Sequence, residues 1–367
     1  MKDLKYYVLG KKDSALLKKY FEKFYQKLLK DLKTISEKWI LTKEINKLLD
    51  TNNRFFILNA DTSSLIYDIF SYDSKTSIEL LKKEIDIFLK EWLESKKLSM
   101  NKWEKIAWTN IKLTTIDNNP FNEREWHPDH VKEWVFAWNW WVKSKKEWLD
   151  VYEKSFILLK KIDEWIYDEL NQIITKIIPL GTSINKHNSA SYKECVGHLY
   201  MWYTIDSIKP EINNLEAIIH ESSHNKLNLL LQFDPIVLND DKKEYYSAIR
   251  PDARHILGVF LWYHAFAPTI YILMKAYKNW YLWNDIIWFN KIILFYVKTK
   301  FLQKIIKKYA ILTDLWKNIS CEIDYVISQM DILLKELKPT KEQLKEVKNI
   351  QFKHFYEVNK NYPYLKY

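Results

Sequence analysis

"AIIHESSHNKLNLLLQFD", residues 217–234, decides how this chain is read. Leu215, Ile218, Ile219, Leu227, Leu230 and Leu231 recur around it at helical spacing, so the segment is expected to be a helix buried in a core. On such a helix His220 and His224 stand four residues apart, one turn above the other on one face, where two imidazoles can grip a single metal ion. Glu221 completes a His-Glu-x-x-His motif. The fold expected around it is mainly α: a multi-helix domain with a small β element and the motif on a buried helix.

Outward from the motif, apolar residues recur at three and four over 12–50, 76–99, 143–177, 255–278, 284–310, 312–337 and 340–356, each read as helical. The motif helix itself starts at Pro210. "YKECVGHLYMWYTID", 192–206, alternates enough for a short strand, and "NRFFILNADTSSLIYDIF", 53–70, is more strand-like than helical. The polar stretch over 104–142 reads as a long loop or linker. This divides the chain into an N-terminal helical region, 1–103, and a metal-binding helical domain, 104–367, with no internal repeat.

Hydrophobic residues make up 47% of the 367 and charged residues 28%, a globular balance rather than a disordered one. The net charge of +10 comes mostly from lysines scattered among glutamates, a solvated surface and not a nucleic-acid face. Cys195 and Cys321 have no metal-binding or redox spacing, and the N-terminus has no secretory h-region, so a cytoplasmic location is expected. Residues 255–274 carry no Lys, Arg, Asp or Glu over nearly a membrane span, yet they contain His255, His264 and Pro268. A core helix that delivers a histidine is expected there, with no membrane partner.

Seventeen tryptophans against four glycines invert the usual proportion, since an average chain of this length holds roughly 26 glycines. In "VFAWNWWVK", 135–143, tryptophan stands where a turn would place glycine. UGA codons decoded as tryptophan here but as glycine in the source would explain this.

The two histidines do not choose a reaction. A metzincin needs Gly and His three and six residues after His224, where Leu227 and Leu230 stand. A gluzincin needs a downstream glutamate on a second helix; Glu244 has the offset but lies in a loop-like stretch and reads as a surface residue. The competing third ligand is His264, on the apolar segment, where a buried imidazole needs a partner. Three neutral ligands leave positions open on non-haem iron, and zinc accepts the same set. Arg250 and Arg254 are rare arginines in a lysine-rich chain and offer a rigid fork for the far carboxylate of 2-oxoglutarate; the alternative is that either caps a helix or pairs with Asp252.

The segments 188–201, 217–235, 245–261 and 263–268 resemble, in order and approximate spacing, the 2-oxoglutarate-dependent His-Glu-x-x-His peptide β-hydroxylases that act on ribosomally made peptides. The resemblance covers about 115–280. It implies Fe(II) at His220, His224 and His264, 2-oxoglutarate on Arg250 or Arg254, and a peptide substrate carrying a leader segment. Trp262 departs from the small residue usual before "HAF", and glycine there would restore the pattern. Glu221 is the catalytic base of the alternative, a zinc metallopeptidase; the iron reaction has no such need of it. A further alternative, an inert helical peptide-binding protein, has only the net charge behind it.

Overall fold

The computed structural model describes residues 15–38, 62, 63, 66, 67, 70, 103–114, 146–180, 189–202, 209–279, 281–282 and 285–365. The expected helix at 76–99 and most of the 104–142 linker lie outside these residues. The protein is mainly α with a small β element, as the periodicity dictates. It divides into two compact units interleaved in sequence. A motif unit comprises Ala15–Leu158 and Glu169–Gln232, and an arginine unit comprises Met1–Ser14, Leu159–Asp168 and Phe233–Tyr367.

In the motif unit, helix α1 (Ala15–Lys38) buries Leu17, Tyr20, Phe24, Leu28, Leu32 and Ile35, a stripe of threes and fours. Helix α2 (146–162) is followed after one residue by α3 (Glu164–Ile173), and the unit boundary crosses both. A mixed sheet is built from β1 (Trp103–Lys105), β2 (Lys112–Thr114), β3 (Lys176–Leu180), β4 (Ser189–Ala190) and β5 (His198–Trp202), in the order β1-β2-β3-β5-β4. The pairs β2–β3 and β3–β5 are parallel, and the outer pairs β1–β2 and β4–β5 are antiparallel. Ile177 and Leu199, paired across the parallel centre, are fully buried. Helix α4 (Pro210–Leu231) follows β5, packs against it and carries the motif.

Three departures from the expected elements appear here. Residues 176 and 177, the end of the helix expected over 143–177, instead open β3, because the apolar run in "KIIPL" is too short for periodicity to separate strand from helix. The segment expected to be strand-like at 53–70 is helical at each of its described residues, 62, 63, 66, 67 and 70. Both strands at the start of the supposed linker, β1 and β2, close through a turn in which Trp108 takes φ +65° with 82% of its surface exposed.

In the arginine unit, α5 (Ile256–Lys278), α6 (Ile286–Tyr309), α7 (Asp314–Leu337) and α8 (Lys341–Asn361) fall within a few residues of their expected spans. Their ends are set by local chemistry. Asp285 caps α6 by accepting from Trp288 N, and Thr340 and Gln343 form a capping box on α8. Between helices, Asp324 accepts from Tyr263 Oη at 2.7 Å and Gln303 Nε2 at 2.6 Å, and pairs with Lys307 at 2.8 Å. Helix α5 is long and apolar enough to cross a membrane, but 72% of that window is buried inside the protein, as in a core helix. Ahead of it, β6 (Glu244–Tyr245) pairs antiparallel with β7 (Arg254–His255), so that Tyr245 faces Arg254.

Candidate metal centre

Helix α4 is buried on every side from residue 217 to 230 except at His220 and His224, which are half-buried. A helix wrapped this fully has no polar face to give to solvent, and its two openings coincide with the motif histidines. Their Nε2 atoms stand 3.0 Å apart, with the rings at 81°. Two nitrogens each about 2.1 Å from one ion are about 3.0 Å apart when they subtend a right angle, and about 3.4 Å at the tetrahedral angle. In this structure the two rings share a hydrogen bond at that separation, which equals the edge length of a six-coordinate divalent ion. Burial pushes the His224 pKa below the ordinary imidazole value, with Glu221 opposing, and this favours the neutral ring a metal needs.

Glu221 points to other partners. Its residue is only 5% exposed, and its two carboxyl oxygens accept separately from Ser189 Oγ at 2.8 Å and Ser191 Oγ at 2.7 Å. Ser189 begins β4 and Ser191 follows it, so the acidic side chain of the motif ties the edge of the sheet to the motif helix. One turn on, Asn225 does the same for β5. Its Oδ1 accepts from Gly197 N at 2.6 Å, and its Nδ2 donates to His198 O at 3.0 Å and Glu221 O at 3.2 Å. Gly197 is required at that point: it takes φ +104°, and a Cβ would meet Ile173 O and Thr175 Oγ1 at 3.2 Å. On the next residue, Lys226 Nζ reaches Glu169 Oε2 on α3 at 3.0 Å, both almost fully buried. Hydrogen bonds and an ion pair from Glu221, Asn225 and Lys226, on two successive turns, thus fix the helix that presents the histidines. Neither serine, nor Asn225, nor Lys226 was picked out from the sequence, although Ser189, Ser191 and Gly197 sit in the 188–201 segment.

His264 lies on α5 in the arginine unit. It is fully buried, its ring edge-on to Trp316 of α7 at 6.2 Å and 73°. Trp262, two residues before it, stacks on Phe266 at 5.4 Å. Among the described residues, no group of three or more His, Cys, Asp or Glu is placed to hold a metal ion. Glu244, the gluzincin candidate, is on β6 and accepts from Tyr364 Oη.

Arg250 and Arg254 come together through Asp252. Arg250 Nε lies 3.4 Å from Asp252 Oδ1, and Arg254 Nε lies 2.7 Å from Asp252 Oδ2. The pairing with Asp252 weighed from the sequence is thus present, and both contacts use Nε. Two arginines around one aspartate keep a net positive charge. Gly258, the third residue of α5, lies beside the Arg254 stem, where a Cβ would make ordinary contact at 3.6 to 4.0 Å.

No protein-family model matches the chain, and no curated protein matches it.

Proposed function

We propose that the protein is an Fe(II)- and 2-oxoglutarate-dependent oxygenase that hydroxylates a β-carbon of a ribosomally made peptide bearing a leader segment, in the cytoplasm. His220 and His224 hold the iron, and the resemblance adds His264 as the third ligand and Arg250 with Arg254 as the seat of the far carboxylate of 2-oxoglutarate. The observation that carries this reading is the buried helix opened only at two histidines whose Nε2 atoms converge at 3.0 Å.

Bound iron would supply the oxidative decarboxylation of 2-oxoglutarate by O2 to succinate and CO2, with one oxygen atom entering succinate and the other the substrate C–H bond. The chain's own residues orient and exclude. Asn225 and Glu221 hold the histidine helix against β5 and β4, and the burial of α4 keeps water from all but its open edge. Strand β4, at the edge of the sheet among the described residues and tied to Glu221, is where an extended peptide would add.

A zinc peptidase would need Glu221 to activate water. Its two carboxyl oxygens instead accept from serines, which favours the oxygenase over the peptidase. The test is peptide-dependent conversion of 2-oxoglutarate to succinate. Arg250→Lys or Arg254→Lys should raise the 2-oxoglutarate concentration required; if neither does, the arginine assignment is wrong.

A further inference from the structure

The loop that carries Arg250 is strapped at both ends and at its middle. Its ends are closed by the β6–β7 pair. Its middle is held from α8, about one hundred residues further along the chain. Gln351, fully buried, donates from Nε2 to Tyr246 Oη at 2.7 Å and to Ala248 O at 3.2 Å. The Tyr246 hydroxyl in turn meets His354 Nδ1 at 2.8 Å, and the Tyr246 ring lies edge-on to Phe355 at 5.0 Å. Within the loop, Ser247 Oγ accepts from Arg250 N at 3.3 Å, and Asp252 spaces the two guanidinium groups.

We propose that Tyr246, Gln351 and His354 are positioning residues for the arginine pair: through them α8 fixes residues 246–253 so that Arg250 and Arg254 present their guanidinium groups to one dicarboxylate. The proposal rests on the 2-oxoglutarate reading above. Burial, with Lys298 nearby, holds the His354 pKa below the ordinary imidazole value, and with Gln351 donating to Tyr246 Oη, the Tyr246 O–H is left to donate a hydrogen bond to the neutral ring's Nδ1. A guanidinium on an unrestrained loop would have to be ordered by its ligand at the expense of affinity; the strap removes that cost beforehand.

The test uses Tyr246→Phe, which removes only the hydroxyl, alongside Gln351→Leu and His354→Asn, the last keeping an acceptor in place of Nδ1. Three quantities are read on the full chain: Fe(II) affinity, 2-oxoglutarate affinity of the iron-loaded protein by anaerobic titration, and amide hydrogen exchange over 246–254. Tyr246→Phe and Gln351→Leu should weaken 2-oxoglutarate binding about five- to tenfold, the size of one lost buried hydrogen bond, with iron affinity unchanged and exchange over 246–254 faster. His354→Asn, which keeps an acceptor on a shorter side chain, should weaken 2-oxoglutarate binding less than Tyr246→Phe does, and His354→Leu, which keeps none, should weaken it as much. If the unmutated protein takes up no 2-oxoglutarate, the cosubstrate reading fails and this proposal with it. If it does take it up and Tyr246→Phe changes neither affinity nor exchange, the positioning role alone is overturned.

An independent observation concerns Trp108. A left-handed backbone costs an ordinary residue roughly 1–2 kcal/mol and glycine almost nothing, and a tryptophan that is 82% exposed gains little burial to offset it. We infer that Trp108 is a UGA-encoded position read as glycine in the source. The same decoding at Trp316 would remove the indole that meets the His264 imidazole, and at Trp262 the one that stacks on Phe266. The codon at 108, with the mass of the corresponding peptide from the native source, decides it. UGA with glycine is expected; UGG, or tryptophan in the native peptide, overturns the inference.

Discussion

Replacing Glu221 separates the two chemistries that share its motif. In Glu221→Gln the amide keeps the shape of the carboxyl group, and because a serine hydroxyl both donates and accepts, Ser189 and Ser191 can each turn to suit it. What is lost is the charge assistance of two hydrogen bonds, about 1 kcal/mol of stability for each and less where water reaches the half-buried serines. Glu221→Ala removes both bonds and leaves a void at a position that is 5% exposed. Each bond to a charged group contributes about 1.5–3 kcal/mol, but the two serines are half-buried and recover some water, so a loss of about 2–4 kcal/mol is expected. Denaturant unfolding of both variants measures these numbers. Turnover is the decisive readout. Loss of a general base costs about 10²- to 10⁴-fold, whereas a side chain that ties β4 to α4 should let Glu221→Gln keep succinate formation within about threefold of the unmutated protein. Well-folded Glu221→Gln that retains iron and loses turnover by a hundredfold or more would refute the tie and restore the base.

Other consequences follow from the same geometry. Lys226→Met should destabilise the motif unit by about 3–5 kcal/mol, because Glu169 is left buried and charged, and adding Glu169→Leu should recover most of that loss in denaturant unfolding. Because the folded-state pKa of His354 lies below its unfolded value near 6.5, its contribution to stability is present above that pH and is lost as pH falls through the lower folded value; His354→Asn should flatten the decline in stability between pH 7 and 5. An unchanged slope would show that His354 is not held neutral. His264→Ala should abolish iron retention and Glu244→Ala should leave it intact, measured by metal content after dialysis; the reverse pattern would return the third ligand to Glu244.

The helices were legible because their buried faces repeat along the chain. In the arginine unit all four long helices fall close to their expected limits, and Pro210 marked the start of α4. Strand β3 was not legible, since four or five apolar residues carry no period of their own. At the site, the histidine pair could be read because both ligands lie on one turn of one helix. Their supports could not: Glu221 meets serines 30 and 32 residues away, and Tyr246 meets His354 across 108. Hydroxyls and amides have no periodic signature, and only the fold brings them to their acceptors. Asp252 is the intermediate case, close enough in sequence to be weighed as a partner for both arginines but silent about which edge of each guanidinium it would take.

The central claim is that His220 and His224 hold iron for a keto acid rather than zinc for hydrolysis. Anaerobic titration of the full chain with Fe(II) and 2-oxoglutarate tests it most directly. A weak visible charge-transfer band from the chelated keto acid is predicted, absent from His220→Ala and His224→Ala. No band in the unmutated protein, together with zinc-dependent cleavage of peptides, would contradict it.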